Sequence, residues 1–237
     1  TVYQGQVRAD WGFAAVIERG DQTVLFDTGA DGRLLLRNMH TLGFDPEEID
    51  AVILSHMHAD HTGGLAALLD TGVRPTIYLP AAFPARFKEQ VRSVTALVET
   101  HTGDQLLPGL RSVTLRAGSS GGTGTLIEQA VAVTTDDGMV LITGCAHPGI
   151  VPLTEEAIRV SAAPAPIAMV LGGFHLMNAD ARSVDRVMMR LRELGVERVM
   201  PAHCTGAEAI EQFVSFFGSA CLTGGVGRRV SFPSSER

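Results

Sequence analysis

The stretch His56-Met57-His58-Ala59-Asp60-His61, followed at once by Thr62-Gly63-Gly64-Leu65, decides how the chain is read. Before it runs Ala51-Val52-Ile53-Leu54-Ser55, uncharged and rich in β-branched residues, with Asp50 as a stop. That pattern predicts a short buried strand, so the ligand-type side chains sit on the turn leaving its C-terminal end. Leu65-Ala66-Ala67-Leu68-Leu69 then predicts a helix. His56 and His58 alternate, so an extended backbone turns both imidazoles to one side. Asp60 and His61 are neighbours, and a tightening turn aims them at a second point. Imidazole and carboxylate suit zinc, iron or manganese, and two such sites can share one hydroxide. The plain alternative is a polar surface turn. Three of the chain's eight histidines within six positions, with an aspartate among them, argue against it.

At 237 residues, 45% hydrophobic and 19% charged, the chain has the length and balance of one large α/β domain. The net charge of −7 and the lack of a Lys/Arg cluster speak against a nucleic-acid partner. No apolar run reaches the roughly 20 residues of a membrane span. The first residue is Thr1, so the lack of a leader peptide decides nothing. Three cysteines, Cys145, Cys204 and Cys221, cannot all pair and resemble no disulfide framework. A reducing cytoplasm is the default compartment.

Upstream, 12–19 and 22–26 read as two strands joined by Gly20-Asp21, the second running into Asp27-Thr28-Gly29. A helix is predicted over 32–42, closed by Gly43, then a short acidic turn with Asp45 as N-cap and Pro46 in first position. His40 on that helix is assigned to solvent. Downstream, 76–79 is a strand, and 83–99 reads as one or two helices with Phe83, Phe87, Val91, Val94 and Val98 near helical spacing. His101 falls in a polar loop. Residues 118–124 are a glycine-rich linker, not a phosphate loop, because no Gly-Lys-Ser/Thr follows.

Strands over 126–135 and 139–143 flank Asp136-Asp137-Gly138, a strong hairpin signal. The second opens into Gly144-Cys145-Ala146-His147-Pro148-Gly149, and a helix is predicted over 154–162. A strand over 166–171 ends in Gly172-Gly173-Phe174-His175-Leu176, and 180–194 is an amphipathic helix stopped by Gly195. The strand 196–200 delivers Pro201-Ala202-His203-Cys204-Thr205-Gly206, a helix covers 207–217, and 228–232 reads as an edge strand. His147 and His203 stand out because each follows a strand in a Gly/Pro-marked turn.

The segment from His56 to Leu65 resembles the HxHxDH-TGGL signature of the metallo-β-lactamase superfamily. Leu25 to Gly29, Leu54 to Leu65, Thr143 to Ile150, Gly172 to Leu176 and His203 to Gly206 follow the order and spacing of one subgroup, that of the 7,8-dihydropterin-6-methyl-4-(β-ribofuranosyl)aminobenzene-5′-phosphate synthases and related bacterial proteins. The resemblance implies an α/β fold: a four-layer αββα sandwich of two mixed β-sheets, in a single domain with a helical insertion at about 82–108. That insertion would cover the site. It implies His56, His58 and His147 on one metal and Asp60, His61 and His203 on another, with Asp27 behind a ligand imidazole. It implies one or two zinc ions, with iron or manganese as alternatives.

One departure matters. The superfamily's bridging aspartate is expected where Gly172-Gly173 stands, and the nearest ligand-type side chain is His175, which would ligate or bond the substrate. The function implied is hydrolysis of a small anionic ester, lactone or phosphoester by a metal-bound hydroxide, with Asp60 and His175 as catalytic candidates and Thr205 as a donor to a phosphate. A synthase of the pterin type is the alternative, with Phe83, Phe87 or Phe174 stacking the pterin. A non-catalytic metal-binding module is the third. Cys145 and Cys204 neighbour the candidate histidines and read first as small buried residues.

Overall fold

The computed structural model describes residues 6–118, 126–161 and 165–233. Most of the linker read over 118–124 and the end of the helix read over 154–162 lie outside them. The chain divides into two compact units, each with its own sheet. The first runs to Thr100 and regains Gly225–Val230; the second covers His101–Gly224 and 231–233.

In the first unit, β1 (Ala15–Arg19) and β2 (Gln22–Phe26) form an antiparallel hairpin around Gly20, whose φ of 55° suits a residue without a Cβ. The strands β3 (Ala51–Ile53), β4 (Thr76–Pro80) and β5 (Leu97–Thr100) add in parallel, giving the order β1-β2-β3-β4-β5. Parallel neighbours need crossovers. These are α1 (Gly32–Leu42), then α2 (Ala59–Thr62) with α3 (Leu65–Asp70), then α4 (Ala85–Arg92). The Asp31 carboxylate caps α1 by accepting from Arg33 and Leu34, and Gly43 closes it at φ 83°. Leu25, Met39, Val52, Leu54, Leu68, Ile77 and Leu79 fill the core.

In the second unit, β6 (Gln105–Leu107), β7 (Leu110–Arg116), β8 (Ile127–Thr135) and β9 (Gly138–Thr143) make an antiparallel meander. Beyond it β10 (Ile167–Gly173) and β11 (Val199–Ala202) continue in parallel with β9. The crossovers are α5 (Ile150–Val160) and α6 (Ala181–Glu193), and α7 (Ala207–Phe217) follows β11. Every residue of β10 is buried, as expected for a central parallel strand. Leu141, Leu153, Val170, Val184, Met188, Leu191 and Phe213 pack around it.

Three expectations are corrected. The region 82–108 is not a helical insertion: only Ala85–Arg92 is helical, while β5 pairs with β4 and β6 with β7. Phe83, Phe87 and Val91 do form an apolar stripe, but Val94 and Val98 are exposed, and Leu97 joins the core instead. The Thr95 hydroxyl donates to the Pro75 carbonyl, turning the chain into β5. Residues 228–232 form no strand; Arg229 donates to the Leu42 carbonyl and lies over the Phe44 ring, so side chains hold this segment rather than a ladder. The helix read over 154–162 begins at Ile150, with Pro152 in the first turn, where its missing N–H leaves no bond unmade. Among the described residues no helix is long and apolar enough to cross a membrane.

Candidate functional site

In the first unit the chain leaves β3 through Leu54, Ser55 and His56, all fully buried. The Ser55 hydroxyl lies 2.7 Å from Asp27 Oδ2 and 2.8 Å from His56 Nδ1. Asp27 also accepts from the Ser55 N–H at 2.7 Å and meets His61 Nδ1 at 2.7 Å. These contacts fix the tautomers. A hydroxyl has one proton, and Ser55 gives it to the carboxylate, so His56 Nδ1–H donates to Ser55 Oγ. His61 Nδ1–H donates to Asp27. Both rings therefore carry their lone pair on Nε2, and in His56 that atom faces His58 Nδ1. Burial pushes the Asp27 carboxyl up, against the pull of His61 and Ser55.

The presented nitrogens have metal-ligand spacing. His56 Nε2 and His58 Nδ1 lie 3.0 Å apart, with ring centroids separated by 4.7 Å. Two nitrogens on a tetrahedral zinc at 2.0–2.1 Å would stand about 3.3 Å apart. His61 Nε2 and Asp60 Oδ2 lie 3.6 Å apart, a similar fit. His58 is exposed and His56 buried, so the pair reaches from the core to the surface.

Asp60 and His61 ride on α2 rather than on a bare turn. That helix is pressed onto the 27–30 turn: the His61 carbonyl accepts from Thr28 N–H and Thr28 Oγ1, and the Asp60 carbonyl from Phe13 N–H. A Cβ at Gly63 would overlap the Ala30 carbonyl, and one at Gly64 the Thr28 carbonyl. The Thr-Gly-Gly that follows the histidines is thus a packing requirement of this loop.

In the second unit the carboxylate of Glu128, at the start of β8 and fully buried, gathers the loop after β9. Its Oε1 accepts from the N–H groups of Cys145 (2.8 Å) and Ala146 (2.7 Å), and its Oε2 from His147 N–H (2.7 Å). Oε2 also lies 2.8 Å from His147 Nδ1, which leaves His147 Nε2 as the presented atom. The His147 and His175 rings pack with centroids 4.4 Å apart. His175 hydrogen-bonds the Cys204 thiol, which raises the imidazole's pKa and helps lower that of the thiol to about 5; the larger pull on the thiol is its bond to Cys145.

Four non-glycine residues among those described have φ in the left-handed region: Asp27 (56°), Ala146 (58°), His175 (53°) and His203 (50°). Each such residue stores about 1–3 kcal/mol of strain. All four are candidate residues or adjoin one.

The glycines at 172 and 173 leave no room for a carboxylate. A Cβ at Gly172 would overlap the Thr143 carbonyl, and one at Gly173 the Gly144 carbonyl. Thr205 is not a phosphate donor: its buried hydroxyl donates to the Ala202 carbonyl at 2.7 Å and accepts from Phe174 N–H at 3.0 Å. Phe174 is buried against Phe213, so it offers no stacking face. His40 is exposed on α1, as expected, and His101 is exposed in the loop after β5.

The family model described as the metallo-beta-lactamase superfamily matches residues 10–203. The chain belongs to that superfamily. It is 28% identical over 233 aligned residues, covering 82% of this chain and 79% of the relative, to a 7,8-dihydropterin-6-methyl-4-(beta-D-ribofuranosyl)-aminobenzene-5′-phosphate synthase of Methanocaldococcus jannaschii. Among solved structures it resembles a metal-dependent hydrolase of the beta-lactamase superfamily, with a TM-score of 0.79 and 24% identity, covering 98% of this chain and 96% of the other. It also resembles a diphosphatase of the PhnP family, with a TM-score of 0.62, 12% identity and coverages of 93% and 84%. The two mixed sheets with flanking helices are the α/β fold of the superfamily, as the resemblance implied.

Sequence reasoning missed Ser55 and Glu128 as functional supports. Glu128 had a signal: it is the one charged residue of β8. The register of β8 with β9 (Val131↔Ile142), carried three residues further, puts it across from Cys145.

Proposed function

We propose that the protein is a metal-dependent hydrolase acting on a small anionic ester, lactone or phosphoester. The observation that carries this is the His56 Nε2 to His58 Nδ1 separation of 3.0 Å, with the far nitrogens of His56 and His61 already tied to Ser55 and Asp27. The ligand assignment is the one the family resemblance implies: His56, His58 and His147 for one ion, Asp60, His61 and His203 for the other. Zinc is the metal we assign, because imidazole and carboxylate with protein-fixed tautomers suit it. When bound, it brings a water to a pKa near 7.

The chain's own residues do the rest. Asp27 and Glu128 hold imidazoles in one tautomer and orientation. Asp60, less deeply buried than His61, sits where its carboxylate could both ligate and orient a nucleophile. Anion preference is supported by α5 and α7, both eleven residues long, which start after Gly149 and Gly206 with no side-chain cap on their first amides.

The test is a panel of p-nitrophenyl esters, phosphates and phosphodiesters and a set of lactones, assayed with zinc-loaded protein. Turnover in the wild type should fall by at least about 100-fold in H58A and H61A, the loss of roughly 2.7 kcal/mol of transition-state stabilisation. Unchanged turnover in both would overturn the reading. A second reading, a synthase joining a dihydropterin diphosphate to an aromatic ribosyl phosphate, draws on the 28% identity to the archaeal synthase. Pyrophosphate release from a dihydropterin diphosphate, with no turnover of the ester panel, would favour it.

A further inference from the structure

The strands β9, β10 and β11 run parallel as neighbours and end level, with Thr143 opposite Gly172 and Ala202 opposite Gly173. Two positions beyond the last residue of each strand stands a ligand-type side chain: Cys145 after Thr143, His175 after Gly173, Cys204 after Ala202. Three strand exits thus deliver two thiols and an imidazole to one place. The two sulfurs and one ring nitrogen of His175 all lie within 4.8 Å of one another.

The surroundings hold these groups in position. Glu128 pins the Cys145 amide, and the Cys204 sulfur lies 3.4 Å from the Cys145 carbonyl. Gly173 sits between the thiols: a Cβ there would fall 2.7 Å from Cys204 Sγ and 3.2 Å from Cys145 Cα. Cys145 and Cys204 are buried and His175 is exposed, so the cluster has a dry floor and a solvent-facing rim.

We propose that Cys145, Cys204 and His175 form a thiolate-rich site for a thiophilic divalent cation of the zinc class, contained within the second unit. A tetrahedral ion with Zn–S near 2.3 Å and Zn–N near 2.0–2.1 Å separates its sulfurs by about 3.8 Å and sulfur from nitrogen by about 3.5 Å. The present spacing reaches that geometry with side-chain adjustments of about 1 Å. Two thiol protons pass to solvent on binding, so uptake is proton-coupled. Three protein ligands leave the fourth position to water on the His175 side. All three ligands come from the second unit.

Cobalt titration of the metal-free full chain tests it, because thiolate ligation gives an intense near-ultraviolet sulfur-to-cobalt band that histidine and carboxylate do not. The band should appear in the wild type, persist in C221S and in the double variant H58A/H61A, and vanish in C145S and C204S. H175A should keep a band at cobalt concentrations raised by about tenfold or more. No band in the wild type, or an undiminished band in C204S, overturns the proposal. Loss of ester turnover in H58A/H61A with the band intact separates the two readings. A second measurement needs no variant: zinc should slow alkylation of Cys145 and Cys204 while leaving Cys221 unchanged. Slowing of none of the three, or of all three alike, overturns it as well.

Discussion

Asp27 in the first unit reaches mostly side chains: the Ser55 hydroxyl, the His61 ring and one backbone N–H. Glu128 in the second reaches mostly backbone: three consecutive N–H groups and one ring. Both are fully buried carboxylates that orient a histidine. The first sets the proton positions of a preformed loop, whereas the second makes the loop itself. Removing Asp27 should therefore injure ligand chemistry more than folding, and removing Glu128 the reverse.

E128A is expected to have the largest effect, a loss of about 3–5 kcal/mol in urea unfolding, because three amides and a ring nitrogen are left buried without their acceptor. D27N comes next. It keeps one acceptor oxygen but turns a donor towards His61, so we expect about 1–3 kcal/mol of lost stability and a 10–100-fold weaker zinc affinity in chelator competition. Equal stability losses in the two variants would erase the distinction. S55A should be smallest, at about 1 kcal/mol by thermal unfolding, with His56 losing only the acceptor for its Nδ1–H. A loss as large as that of D27N would make Ser55, not Asp27, the organiser of the loop.

Much of the first unit was legible because its signals are local. The strand–turn–helix run through His56 to Leu69, the α1 span with its stop at Gly43, and the hairpin at Gly20 each depend on residues a few positions apart. The β5 strand was hidden because Phe83, Phe87 and Val91 begin a true helical stripe, and pairing with the distant β4 overrides its continuation. The support by Glu128 was hidden for a similar reason: it acts 17 to 19 positions away, across a hairpin. The commitment of the Thr205 hydroxyl to Phe174 spans 31 positions and leaves no trace in either neighbourhood.

The bonds that fix the His56–His61 loop span 28 positions to Ser55 and 34 to His61. Each closes a chain segment whose entropy has to be spent before the bond can form. The loop therefore acquires its proton arrangement only once β2 and β3 have paired. A synthetic peptide of residues 50–65 would carry all four ligand-type side chains of the first unit and neither Asp27 nor Thr28. It should bind zinc as a flexible chelator does, without the fixed tautomers, and a nascent chain would meet metal in that loose form before its ligands are ordered.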